Sequence, residues 1–451
     1  MEKPLYAVIA DDLTGAGDTG VQFARAGLRT RALIGTWSVH AVQGADVVVI
    51  NTESRALEPE EAYERIARTA AELRAAGAIP IYKKIDSTMR GPVGAELDAL
   101  LDMFGLDMAI VCPAFPDNGR ILIGGYLLVS GQPVARTAIG RDPVAPVRES
   151  HVPTLLASQT RRSVRHIGLQ VVEAGAERLC TALGAARQPG GSVVVIDAVS
   201  DGDLEVIVEA ASMVESGSFV THAGSVVNGR KGGVVLVGSA GLARPLARRL
   251  TAGLRRHPGT SREARRIVLV VVGSVNPVSR EQLAWLTSQQ DTLVVHLDVN
   301  AALQGGDAWQ QAKHSVRQVV GRAATEGRVL VLTTRGDPAD VEAARRAGSA
   351  HSLGAVEVAR RIAEALAEVA AGALDRLKVA GVVLTGGDTA RALLDRLGAA
   401  GIDLISEVQP GIPAGTLNSG RRPGLWVITK AGGFGSREAL ALAVEYLLRL
   451  P

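Results

Sequence analysis

Cysteine is nearly absent: the 451 residues hold two, Cys112 and Cys180. That excludes a disulfide framework or a cysteine-rich zinc site, and it fits a reducing cytosol. A charge excess of either sign is missing too. Forty-nine Lys and Arg against 46 Asp and Glu leave +3, which gives no reason to expect nucleic acid or an anionic membrane as partner. No apolar run reaches the ~20 residues of a membrane span. The first apolar run begins near Leu5 and leaves no room ahead of it for a signal peptide. The expectation is a soluble, cytoplasmic protein. Familiar motifs are also lacking. No G-x-x-x-x-G-K-[ST] occurs, so this is not a P-loop enzyme, and no G-x-G-x-x-G follows the first apolar run, which weakens a nicotinamide dehydrogenase. The opening resembles the D-x-D-x-T start of aspartyl phosphatases, but the position two after Asp11 is Leu13.

What is present has the rhythm of a large α/β protein. Apolar residues at 47% and charged residues at 21% are ordinary for a globular chain, and the length favours two domains. Short β-branched runs alternate with Ala/Leu/Arg/Glu stretches of helical period, so each domain is read as a mostly parallel sheet flanked by helices. The first half offers strands at Tyr6–Ala10, Val47–Ile50, Ile81–Lys84, Met108–Cys112, Ser192–Ile196 and Val234–Val237. The second offers Ile267–Val272, Thr292–Leu297, Val329–Leu332, Gly381–Leu384 and Leu425–Thr429. The polar run "LRRHPGTSREARR" from Leu254 to Arg266 reads as a solvated linker rather than an RNA patch. The division is therefore 1–254, a linker at 255–266, and 267–451. Four prolines punctuate an irregular passage from Leu128 to His166, and residues 128–170 carry no readable role. An alanine-rich helical region spans Val341 to Leu377, with a break marked by Gly348 and Gly354.

In the first half a polar cluster follows strand after strand. These are Asp11, Asp12 and Thr14; Asn51, Glu53 and Arg55; Lys83, Lys84, Asp86, Ser87, Thr88 and Arg90; and Asp117, Asn118 and Arg120. In an open parallel sheet those carboxyl ends share one edge, where ligands bind. Plainer readings stand beside this one. Asp12 could cap a helix beginning near Gly15, Arg55 could be a surface arginine, and Asp86 with Ser87 could cap the helix "PVGAELDALLDMF". The mixture of carboxylates, hydroxyls, lysines and arginines suits a small ligand with hydroxyls at one end and a carboxylate at the other. Asp11 and Asp12 would then be neutralised by a lysine, a cation or the ligand.

The second half passes three times from strand to glycine to helix. The three stretches are "VVVGSVNPVSREQL" through Gly273 and Ser274, "VVLTGGDTARALL" through Gly386, Gly387, Asp388 and Thr389, and "WVITKAGGFGSREAL" through Lys430, Gly432 and Gly433. Ser279 and Gln282 fit a capping box in the first. Glycine lets backbone N–H groups approach an anion, and a helix N-terminus adds partial positive charge. Lys430 would add a formal one. Three such passages at one edge point to a nucleotide polyphosphate.

At this point the chain resembles the four-carbon acid sugar kinases, through "ADDLTGAGDTGVQ", "NTESR", "KKIDSTMRGPVGAEL", "PAFPDNGR", "GSVNPVSREQL", "TGGDTARALL", "PGIPAGTL" and "TKAGGFGS" in this order. The resemblance implies an acid-sugar domain followed by a nucleotide domain. It also implies ATP-dependent phosphorylation of the C4 hydroxyl of threonate, erythronate or an oxidised tetronate. "GDTGVQFARAG" looks more like the D-threonate branch. The resemblance places the sugar acid on Asp11, Arg55 and Lys84 to Ser87, including Ile85 and Asp86, and ATP on Ser274, Gly386 to Thr389 and Gly432. Asp12 or Asp86 is the candidate base for the hydroxyl proton, with Arg55 and Lys84 holding the sugar carboxylate. Magnesium is expected on the phosphates, with Asp388 helping to hold it. Closure of the two domains over the reactants would exclude water. A non-catalytic sensor of sugar acid and nucleotide, or a dehydrogenase of the same acids, would occupy similar pockets. A homodimer is the partner expectation beyond the small molecules.

Overall fold

The computed structural model describes residues 4–35, 37, 39–142, 144–214, 233–251, 267–290, 292–326 and 329–450. The chain forms two compact units: Met1–Ala32 with Ser38–Arg256, and Leu33–Trp37 with His257–Pro451. The short Leu33–Trp37 segment thus groups with the second unit, although the sequence reading put all of 1–254 in the first. The linker read at 255–266 lies outside the described residues.

The first unit carries strands β1 (Tyr6–Ala10), β2 (Thr30–Leu33), β3 (Val47–Asn51), β4 (Ile79–Lys84), β5 (Leu106–Cys112), β6 (Arg120–Ile123), β7 (Tyr126–Val129), β8 (Gln132–Pro133), β9 (Ser163–Ile167), β10 (Ser192–Ile196) and β11 (Gly233–Gly238). The main sheet runs β2-β3-β1-β4-β11-β5-β10-β9, and the pairings from β3 to β9 are parallel. All of β1, β3, β10 and β11 is buried, as strands covered by helices on both faces must be. From β1 the chain turns to one side, toward β2 and β3; from β4 it goes to the other, toward β5. The β1/β4 boundary is therefore a topological switch point, where loops diverge and leave a crevice at the carboxyl ends.

The second unit carries β12 (Ile267–Val272), β13 (Thr292–His296), β14 (Val329–Thr333), β15 (Val379–Thr385), β16 (Gly401–Gln409), β17 (Ile412–Leu417) and β18 (Trp426–Lys430). Its order is β13-β14-β12-β15-β18-β17-β16, parallel from β13 to β18, with β17 antiparallel to both its neighbours. Its core joins Val268, Val270 and Val272 of β12 to Val331, Val383 and Ile428, with Leu286, Val444 and Leu447 from helices on one face. Each large side chain so buried stabilises the fold by roughly 1.5–3 kcal/mol before packing terms. The switch point here lies between β12 and β15.

Sequence periodicity missed β2, four residues with only two apolar ones, β9, a mostly polar strand at the end of the sheet, and the β16–β17 hairpin. A separate antiparallel sheet, β6-β7-β8, begins ahead of the irregular passage and runs into it, and the passage also holds a short helix at Val152–Ala157 and most of strand β9. The alanine-rich region divides as expected, into helices Pro338–Ala350 and Ala355–Arg376. Among the described residues no helix is long and apolar enough to cross a membrane.

Candidate functional site

β1 ends on Asp11 and Asp12, and the helix Leu13–Arg25 starts at once. Asp12 is its N-cap: Oδ1 accepts from Gly15 N at 2.8 Å. The capping reading is therefore correct, yet the second oxygen does something else. Arg55, from the loop after β3, donates from Nη1 to Asp12 Oδ2 at 2.7 Å, from Nε to Asp11 Oδ2 at 2.8 Å and from Nη2 to Asp11 Oδ1 at 3.0 Å. One guanidinium thus bridges the adjacent carboxylates. Arginine, rather than the lysine, cation or ligand expected from sequence, is their main partner, and Arg55 is no surface residue, its side chain being 17% exposed. Burial pushes the Asp11 carboxyl up, but Arg55, Lys84 and Lys83 outweigh it and hold the group below its ordinary value.

Close packing fixes this fork. Gly91 has φ +95°, and a Cβ there would lie 2.9 Å from the Arg55 carbonyl oxygen. Below the loop, buried Glu96 accepts from Ser54 and pairs with fully buried Lys83 at 3.1 Å. Burial raises the Glu96 carboxyl above its usual value. Sequence reasoning passed over Glu96, although a carboxylate on the buried face of the apolar helix Val93–Phe104 was a signal.

Asp86 does not cap that helix, whose N-cap is Pro92. Its carboxylate accepts from Arg90 Nε at 2.8 Å and Nη2 at 3.1 Å and from the Thr88 hydroxyl, while Arg55 Nη2 stands 3.9 Å away. Burial raises Asp86, but Arg90 and Arg55 drive it well below the carboxylate range. Arg90 also reaches Asp142 at 3.3 Å. Ile85 is buried and joins through its backbone, its N donating to Gly238 O at 2.9 Å. Ser87 is buried and its hydroxyl has no protein partner among the described residues. Asp117 turns away to Arg244 at 2.6 Å, and Glu53 folds back onto Asn51.

Lys84 stands apart. The residue is 4% exposed, and its ammonium makes no hydrogen bond or ion pair among the described residues. It lies over the first turn of the Leu13 helix, where a Cβ on Gly15 would fall 2.6 Å from Nζ and 2.5 Å from Asp12 Oδ1. Its electrostatic partner is Asp11, whose carboxyl it helps hold down without a direct contact, so the ammonium keeps its hydrogen-bonding capacity unused.

In the second unit the glycine passages converge. A Cβ on Gly273 would collide with Thr389 Oγ1, one on Gly432 with Ser274 Oγ, and one on Gly386 would sit 3.5 Å from Ser274 N. Gly386, at φ +100°, donates its N–H to Lys430 O at 3.1 Å. Gly387 opens the helix Gly387–Arg396, with Asp388 exposed in its first turn and Thr389 buried. A Cβ on Gly433 would lie 3.6 Å from Asn276 Nδ2.

Two expectations fail here. The helix Pro277–Gln289 is capped by Asn276, whose Oδ1 accepts from Val278 N at 3.0 Å, so Ser279 and Gln282 form no capping box. Both are wholly buried and donate to carbonyls of the loop after β18. Lys430 does not extend into the edge as a free charge; it is 1% exposed and donates to the Ala431, Gly432 and Phe434 carbonyls. Burial pulls its ammonium down to about 7.

The arrangement matches known proteins along its whole length. Residues 6–246 fit a family model described as a sugar-binding N-terminal domain, and 269–440 one described as a nucleotide-binding C-terminal domain. A D-threonate kinase of Bordetella bronchiseptica is 38% identical over 99% of this chain and 98% of its own. A D-erythronate kinase of Heliobacterium modesticaldum is 34% identical over 98% and 96%. A 3-oxo-tetronate kinase of Pseudomonas savastanoi is 29% identical over 99% and 98%. Among solved structures, a Haemophilus influenzae protein superposes with TM-score 0.69 at 24% identity, covering 98% of this chain and 100% of its own. A Salmonella typhimurium protein described as a putative tRNA synthase gives 0.75 at 24%, covering 97% and 98%. These two likenesses bear on the fold alone.

Proposed function

Since the chain belongs to the four-carbon acid sugar kinase family, we propose that this carbohydrate kinase moves the γ-phosphoryl group of ATP to the C4 hydroxyl of D-threonate, giving 4-phospho-D-threonate. The substrate choice is supported by the D-threonate kinase at 38% identity against 34% for the D-erythronate kinase. D-erythronate and 3-oxo-tetronates are the competing acids, differing from D-threonate at a single carbon, a difference that one contact can select.

The observation that carries the sugar-acid site is the Lys84 ammonium, nearly buried beside the Asp11–Arg55 fork with no direct hydrogen bond among the described residues. A bound carboxylate gives Lys84 a direct acceptor. Arg55 holds Asp11 and Asp12 and presents its remaining face to the same group, and Ser87 and Thr88 meet hydroxyls with Arg90 behind them. For the hydroxyl proton, Asp12 is the better acceptor of the two candidates. Its side chain is 21% exposed, whereas Asp86 is 9% exposed and forked by Arg90. Phosphoryl transfer asks chiefly for positioning and charge neutralisation, so a modest base suffices.

ATP is assigned to Ser274, Gly386, Gly387, Asp388, Thr389, Gly432 and Gly433, the residues whose close approaches leave backbone N–H groups and two hydroxyls at one edge. Magnesium supplies charge neutralisation on the β- and γ-phosphates when bound. The residue that would hold it is Asp388, a carboxylate exposed in the first turn of the helix Gly387–Arg396. A cation held mostly by phosphate oxygens, with Asp388 directly or through water, needs no all-protein cage.

A coupled ADP assay with D-threonate, L-threonate, D-erythronate and a 3-oxo-tetronate, run on wild type and Asp12→Asn, tests the reading. The highest kcat/KM is expected for D-threonate, with a fall of about 10²-fold or more in kcat for Asp12→Asn. A preference for another acid removes the substrate assignment, and near-normal turnover of the variant removes the base.

A further inference from the structure

The loop Ala431–Ser436 is held by its carbonyls. Lys430 Nζ donates to Ala431 O at 2.8 Å, Gly432 O at 3.2 Å and Phe434 O at 3.0 Å. The Ser279 hydroxyl donates to Gly432 O at 2.7 Å. Gln282 Nε2 donates to Phe434 O at 2.9 Å, Gly435 O at 3.2 Å and Ser436 O at 2.8 Å. All three donors are at most 1% exposed. Two of them stand on the helix Pro277–Gln289 and the third ends β18.

A trans peptide is planar, with C=O and N–H pointing in opposite directions, and no cis peptide occurs among the described residues. Drawing the Ala431 carbonyl toward Lys430 therefore turns the Gly432 N–H the other way. Drawing in the Gly432 carbonyl does the same for Gly433 N–H. Neither amide meets a protein acceptor among the described residues. The face of Gly432 that lacks a side chain looks at Ser274 Oγ, and that of Gly433 at Asn276. Successive N–H groups turned to one side form a concavity that accepts anions.

We propose that Lys430, Ser279 and Gln282 are positioning residues for the triphosphate. They pin the loop carbonyls inward so that the Gly432 and Gly433 amides face a phosphate group, and Lys430 acts through the peptide groups without touching the nucleotide. The inference rests on the ATP-kinase reading of this edge. Burial without a compensating carboxylate is the only cause of the Lys430 shift, which leaves the three carbonyls as the partners that hold its ammonium in place.

The test is calorimetric binding of ATP, of adenosine and of D-threonate to the full chain as wild type, Ser279→Ala, Gln282→Met and Lys430→Met, with KM and kcat alongside. Each variant is expected to weaken ATP by about tenfold or more, the scale of a lost hydrogen bond that orients a charged contact. Adenosine and D-threonate should bind as to wild type, and KM for ATP should rise more than kcat falls. Ser279→Ala is the mildest change and decides the matter if Lys430→Met does not fold. ATP affinity unchanged in Ser279→Ala and Gln282→Met overturns the proposal. So does a loss confined to Lys430→Met, which means a direct contact, or an equal loss of adenosine, which means collapse of the unit. A wild type that binds ATP, shows the phosphate-dependent loss in the variants and yet phosphorylates none of the acids refutes the functional reading and leaves this inference standing. A wild type that binds no ATP refutes both.

Discussion

Replacing Lys84 by methionine separates a binding role from a structural one. The residue is 4% exposed, and its ammonium has no hydrogen-bonding partner among the described residues. A cation kept for stability would make direct ion pairs or hydrogen bonds, because burying a charge costs free energy that distant charges offset only in part. Methionine matches the length of the stem and removes the charge, so the protein should lose little stability and could gain some. The one opposing effect is on Asp11, whose carboxyl Lys84 helps hold down against burial; Arg55 lowers it more strongly and remains in place. For the ligand the sign reverses. A charge-assisted bond from ammonium to carboxylate contributes roughly 1.5–3 kcal/mol, so the affinity for D-threonate should fall by roughly 10- to 150-fold. Binding of ATP should not change. Calorimetry with each ligand and a urea unfolding curve measure all three quantities. A variant that unfolds by more than ~1 kcal/mol more easily while keeping its sugar-acid affinity would refute the reasoning, since Lys84 would then be a structural cation.

Gly273→Ala puts a methyl into Thr389 Oγ1; nucleotide binding should be lost while D-threonate binding to the other unit persists, both read by calorimetry. Gly15→Ala should weaken D-threonate by displacing the Lys84 ammonium, 2.6 Å from the new Cβ, and leave ATP binding unchanged. Acid should destabilise the first unit through Asp86. Its folded carboxyl titrates well below 3.8, so the unfolded chain takes up its proton first, the stabilisation is complete above about pH 4, and it is lost as pH falls through the folded value. Urea unfolding between pH 6 and 3 should show this loss, with a shallower slope in Asp86→Asn.

How far each edge could be read from the sequence follows from how it is built. The edge proposed for the sugar acid rests on charged side chains that come right after strands, so Asp11, Arg55, Lys84, Asp86 and Arg90 stand out by type and place. What the sequence withheld was their mutual compensation. That Arg55 bridges both aspartates depends on Gly91 admitting its backbone at 2.9 Å from where a Cβ would stand, a contact between residues 36 positions apart. Asp117 had the same credentials and turned instead to Arg244. Strand β9 escaped for a plainer reason: at the end of the sheet a strand is mostly polar, and the run "SVRHI", with one of its five residues buried, reads as loop.

The edge proposed for the nucleotide is built from backbone, and backbone is nearly silent in a sequence. Glycines mark where it can come close, but not which way a peptide faces. "NPVSREQ" looks like a capping box at Ser279 because the residue types fit, yet the proline at 277 fixes the helix start one residue after Asn276. That displacement moves Ser279 and Gln282 from the helix end to its buried flank, where a hydroxyl and an amide need acceptors. The acceptors they find belong to a loop more than 150 residues away. The useful sequence signal was therefore not the motif but the mismatch: two polar residues on a face that periodicity assigns to the core. The same argument explains Lys430, whose burial at the end of an apolar strand implies carbonyls around it more directly than it implies a phosphate in front of it.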